Sequence, residues 1–79
     1  MNTITLGRHA RRRMRLYRIP VEQVAAAVQT PDWVAPSTKG RYNAYKRFPK
    51  WSLRVTYRAF TERIEVVTVT LRRKGWSKL

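Results

Sequence analysis

Proton-transfer chemistry has one natural carrier in this 79-residue chain, His9, and thiol chemistry has none because there is no cysteine. Metal-free cleavage of RNA needs a base near the 2′-hydroxyl, positive charge on the pentavalent phosphate, and an acid for the departing 5′-oxygen. His9 fits the base, Arg13 with one or two of Arg41 and Arg54 fits the charge, and Tyr45, Tyr57 or Lys46 fits the acid. A ribonuclease built on two histidines is excluded by composition. The candidate catalytic set is therefore His9, Arg13, Arg54 and Tyr45, although no spacing in the chain demands catalysis. The plain alternative is that His9 sits near a helix start and satisfies a backbone group there. The four acids, Glu22, Asp32, Glu62 and Glu65, are scattered. With one histidine they leave little from which to build a metal site, and no cofactor is implied.

Binding is better marked than cleavage. Eighteen Lys and Arg against four Asp and Glu give a formal charge of +14, which repels itself and calls for a polyanion or an acidic protein as partner. Strand alternation puts Arg41, Arg47, Arg54 and Arg58 on one face with Tyr45. Guanidinium groups fork onto phosphates and stack on bases, and tyrosine adds a stacking surface, which suits single-stranded RNA, including ribosomal RNA, better than a rigid duplex groove. A solvated outer face of an antiparallel sheet is the bland explanation for any one of these arginines. Arg12 on the first helix, Lys46 on the sheet, and Arg72, Arg73 and Lys74 in the tail complete the candidate nucleic-acid contacts. Trp51 reads as core, whereas Trp33 and Trp76 are free to stack on a base or on the protein.

These groups must be held by a small two-layer domain, since the chain is too short for a second one. Residues 1–5 lean toward an edge strand, and Thr5 or Gly7 caps a helix that ends near Tyr17-Arg18, ahead of Ile19-Pro20. Leu6, Ala10, Met14 and Tyr17 form its apolar stripe; Arg11, Arg12, Arg15 and Arg18 point to solvent; His9 and Arg13 lie on the shoulder between, one turn apart. Pro20 opens a second helix with Val21, Val24, Ala25 and Val28 on one face, and Thr30-Pro31 stops it. Strands are expected at 33–35, 41–48, 51–58 and 64–71, with 36–40 a loop and 72–79 a basic tail whose Trp76 could fold back to pack on the domain. The expected fold is α+β: two N-terminal helices on one face of a three- to four-stranded antiparallel sheet. No apolar run approaches the roughly 20 residues of a membrane span, and the start of the chain lacks a signal-peptide core. A cytoplasmic location is the resulting expectation.

His9-Ala10-x-x-Arg13-Met14, Ile19-Pro20, Val24, Pro31-Asp32, Gly40-Arg41, Leu53-Arg54-Val55 and Val66-Val67-Thr68-Val69 together resemble a family of small bacterial domains of unknown function. The resemblance spans roughly residues 6 to 70, and the helix motif is its most specific part. That family is similar in fold to RelE/ParE-type toxins and to BrnT proteins. The resemblance implies a RelE-like fold, His9, Arg13, Arg41 and Arg54 as motif positions, a metal-independent messenger RNA endonuclease of a toxin–antitoxin system, and an acidic antitoxin as cognate partner. A ParE-like inhibitor of a host enzyme, or a non-catalytic RNA- or ribosome-binding factor of phage or mobile-element type, are the competing readings. At its first turn this chain has Tyr17-Arg18-Ile19 where the pattern has Arg-Gly-Ile, so a glycine suited to a left-handed helix end is missing.

Overall fold

The computed structural model describes residues 3–76, which form two helices and a five-stranded sheet. The chain runs β1 (Thr3–Leu6), α1 (Arg8–Tyr17), α2 (Val21–Gln29), β2 (Trp33–Pro36), a 3₁₀ turn (Thr38–Gly40), β3 (Tyr42–Arg47), β4 (Ser52–Ala59) and β5 (Arg63–Arg72). The sheet order is β1-β5-β4-β3-β2. Four strands make an antiparallel meander, but β1 joins its edge parallel to β5, with Ile4 beside Ile64 and Leu6 beside Val66. The sheet is thus mixed and five-stranded, which corrects the expected three or four antiparallel strands. A parallel pair needs a long excursion between its partners, and here everything from α1 to β4 supplies it. Four residues at the chain start carry too little pattern to reveal a partner some sixty positions away.

Both helices lie on one side of the sheet. Ala10 of α1, Ile19 of the linker, and Val24, Ala27 and Val28 of α2 bury against Leu53 and Val55 of β4 and Val66 and Val69 of β5, with Leu6 and Met14 packed at the margin. Tyr17 and Val21, assigned to apolar stripes by spacing, are instead 43% and 50% exposed. Both stand beside the linker, and Ala27 takes the place in the α2 stripe. Trp51 packs against the core and donates its indole N–H to Gln23 Oε1 at 2.8 Å. Pro20 is the N-cap of α2 rather than its first helical residue.

Two backbone details set the placement of α1. Gly7 is its N-cap, without a side-chain cap, and its N–H continues the β1–β5 ladder to the Val66 carbonyl at 2.9 Å. A Cβ there would stand 3.0 Å from that same oxygen, so glycine lets the chain pass from strand to helix in direct contact with β5. At the other end Arg18 adopts the left-handed conformation (φ 55°, ψ 46°), and the Ile19 N–H reaches the Met14 carbonyl at 2.8 Å. The turn keeps the geometry that a glycine would favour, although an arginine occupies it.

Candidate nucleic-acid interface

The side of the sheet away from the helices is built by alternation. Tyr45 lies opposite Trp33 on β2 and Arg54 on β4; Asn43 lies opposite Thr56, and Arg47 opposite Ser52. Arg54 in turn faces Thr70, and Ser52 faces Arg72, on β5. Arg41, in extended backbone just before β3, continues the same side. Tyr45, Arg41, Arg47, Arg54 and Arg58 therefore do share the open face, as alternation requires.

This face is not a plain solvated surface. Trp33 and Tyr45 stack with centroids 4.7 Å apart and planes 12° from parallel, and Trp76 meets Tyr45 edge-on at 5.5 Å. Arg54 and Arg72 lie over the Trp76 ring at 5.6 and 5.3 Å. Trp76 returns because Gly75, at φ +76°, turns the chain back over β4; a Cβ at Gly75 would stand 3.0 Å from Ser52 Oγ. Beneath this layer Ser52 and Thr56 are buried, and Thr56 donates its hydroxyl to Asn43 Oδ1 at 2.7 Å. The Nε atoms of Arg41 and Arg54 are buried without a hydrogen-bond partner among the described residues. A guanidinium N–H withheld from water and left unpaired costs free energy.

His9 and Arg13 occupy a different place. With Arg12 and Leu16 from α1 and Val67 and Thr68 from β5 they line a groove at the rim of the sheet, beyond the point where β1 stops covering β5. His9 is exposed. Arg13 donates its Nε–H to the Val69 carbonyl at 2.7 Å and lies over the Tyr17 ring at 5.3 Å, so the sheet backbone and an aromatic neighbour hold its guanidinium. The register irregularity that lets Val67 slip past the β4 ladder falls beside this groove. The four candidate catalytic residues are thus split: His9 and Arg13 at the rim, Tyr45 and Arg54 on the face, with no side chain lining both the rim groove and the cavity beside Tyr45.

Three further assignments need correction. Lys46 alternates to the helix-covered side, where its ammonium donates to the Thr30 carbonyl at the end of α2 at 2.6 Å. Tyr57 is on that side too, stacked on Tyr42 and packed against the core; burial, and secondarily the Tyr42 phenolate, push its hydroxyl above the usual tyrosine range. Neither can serve as the acid on the basic face, which leaves Tyr45 alone of the three candidates. Arg58 stands opposite Glu65 on β5, so part of its charge is offset locally. Arg72 belongs to β5 rather than to a tail, and Arg73 and Lys74 are exposed at the bend beyond it; residues 77–79 of the expected tail lie outside the described residues.

Asp32 and Ser52, unmarked as site residues by spacing, join Trp33 and Trp76 at the β2 end. Asp32, Trp33, Ser52 and Trp76 line a cavity of about 290 Å³ together with Tyr45, Lys46 and Arg47. Only register brings them together, because they come from three strands and the returning C-terminus. Among known proteins, no family model, curated sequence or solved structure matches this chain.

Proposed function

We propose that this protein binds single-stranded RNA on the open face of its sheet, with Tyr45, Trp33 and Trp76 as the stacking platform and Arg41, Arg47, Arg54 and Arg72 as the phosphate contacts. The observation that carries the proposal is the layer itself: two tryptophans and a tyrosine interleaved with guanidinium groups, two of which keep a buried, unpaired Nε. An aromatic row takes any base by its π-face, and surrounding arginines follow the backbone between bases. The formal +14 charge supports the same class of partner and suits an acidic protein that would cover the face when RNA is absent. The test is fluorescence anisotropy of a labelled oligouridylate with the wild type, Arg54→Gln and Trp76→Ala. Both variants should bind several-fold more weakly, by about 1–3 kcal/mol for a lost stacking partner. Wild-type affinity in both variants would refute the face as the RNA site.

A second reading, a metal-independent endoribonuclease of toxin type, is favoured by His9, exposed in a groove beside two guanidinium groups. Neighbouring strands are about 4.8 Å apart, so a strand of RNA crossing from Tyr45 on β3 past β5 would reach the rim within two or three nucleotides. There the imidazole would take the 2′-hydroxyl proton as that oxygen attacks phosphorus. The P–O5′ bond breaks, and the products are a 2′,3′-cyclic phosphate and a 5′-hydroxyl, the leaving oxygen being protonated by water at the rim. Arg13, held at the rim, would stabilise the charge that develops on the phosphoryl oxygens. Incubation of RNA in EDTA with the wild type, His9→Ala and Arg54→Ala separates the readings. Cleavage lost in both variants supports catalysis at these groups, and equal cleavage by all three rejects it.

A further inference from the structure

We infer that the cavity at the β2 end of the open face is a base-reading subsite that selects guanine, with Asp32 as its specificity-determining residue. This deepens the RNA-binding reading and rests on it.

Among the described residues Asp32 is the sole carboxylate lining that cavity, in a molecule where cations outnumber acids by more than four to one. It is held from three sides. Its own N–H donates to the Tyr45 carbonyl at 2.7 Å, its Oδ2 accepts the Arg47 backbone N–H at 2.8 Å, and it directly precedes the strand that begins at Trp33. The carboxylate is therefore held next to the Trp33–Tyr45 stack while Oδ1 makes no hydrogen bond among the described residues. A volume of about 290 Å³ admits one flat ring system and little more.

The chemistry of the wall then selects the ring. An ionised carboxylate only accepts hydrogen bonds. On its Watson–Crick edge guanine presents two adjacent donors, N1–H and an N2 amino hydrogen, so both can meet the carboxylate side by side. Adenine and cytosine each place a ring-nitrogen lone pair beside their single amino donor, and uracil flanks its one N–H with two carbonyl oxygens. Each of those three brings an acceptor against the carboxylate. An acceptor held against an acceptor is the mismatch by which polar sites reject analogues, here at an exposed carboxylate that a stacked base would cover. Arg47 on the same wall supplies donors suited to guanine O6. Three aromatic rings and an acid would also suit an organic cation, but Arg54 and Arg72 already lie over the Trp76 ring and repel one.

The test uses the full chain and seven-nucleotide RNAs of the form U3-N-U3, with N as uridine, guanosine, adenosine, cytidine or inosine, read by anisotropy. Wild type should bind the guanosine strand about tenfold more tightly than the other natural strands, within the discrimination of one bidentate pair. Inosine lacks the N2 amino group and should forfeit most of that gain. Asp32→Asn keeps an oxygen for the Arg47 N–H and should level the strands while leaving affinity for U7 at least as high; thermal unfolding confirms that the variant folds. Equal wild-type affinity for all five strands, or a guanosine preference that persists in Asp32→Asn, overturns the base-reading subsite and leaves RNA binding standing. Absence of wild-type binding to every strand overturns the RNA reading together with the inference built on it.

Discussion

If the open face holds a polyanion, affinity must fall with salt at a rate set by how many phosphates its arginines neutralise. Four guanidinium groups face that surface without an acidic residue across the ladder, Arg41, Arg47, Arg54 and Arg72, whereas Arg58 has Glu65 opposite. For single strands the logarithm of the binding constant should then change with the logarithm of salt at a slope of about −2.8. Raising salt from about 50 to about 200 mM should weaken binding about 50-fold. Arg47→Gln removes one contact at an exposed side chain, and its backbone bond to Asp32 does not depend on the side chain. That variant should give a slope near −2.1, or about a 20-fold loss over the same range. Arg15→Gln, on the solvent side of α1, should leave the slope at the wild-type value. The assay is anisotropy of a labelled oligouridylate titrated at four or more salt concentrations. A slope lowered by Arg15→Gln and untouched by Arg47→Gln would move the ligand from the sheet to the outer helix face and refute the geometry argued above.

Three further outcomes follow from the scaffold. Arg18→Gly should stabilise the domain by up to about 1 kcal/mol, because the left-handed penalty of a side chain exceeds the added flexibility of glycine; urea denaturation measures it. Arg13→Met removes the Nε–H bond to the Val69 carbonyl and the contact with Tyr17, and should cost about 1–3 kcal/mol; the loss appears as a melting temperature lowered by several degrees. Tyr57 has its folded-state pKa raised by burial and by the Tyr42 phenolate, so the folded protein holds that proton after the unfolded chain has released it. Its contribution is complete below the ordinary tyrosine pKa near 10 and declines as pH climbs toward the folded-state value. Tyr57→Phe should therefore show a shallower alkaline decline in chemical-denaturation stability than the wild type.

Much of the scaffold was legible in the residues. Alternation alone sorted Tyr42, Ala44 and Lys46 from Asn43, Tyr45 and Arg47, and Leu53 and Val55 from Arg54, and both divisions hold in the folded sheet because a pleated strand sends neighbours to opposite sides. The α1 shoulder of His9 and Arg13 and the helix end at Arg18 were likewise matters of local periodicity and of the proline two residues on. Which strands adjoin is another kind of fact. The parallel pairing of β1 with β5 and the returning Trp76 join positions far apart in the chain, and no local pattern encodes such a meeting. Alternation had already put Lys46 on the side opposite Tyr45, and the folded sheet adds that α2 covers that side, where Lys46 reaches the Thr30 carbonyl.

Sequence by itself determined the formal charge of +14, the single histidine, the two helices and the two-sided strands, because composition and periodicity are properties of the chain alone. Tertiary structure decided that the proposed catalytic residues fall in two places and that Asp32 stands beside the aromatic row. The physical reason is that register and sheet order arise when apolar faces are buried together, a cooperative choice made by the whole chain rather than by any segment.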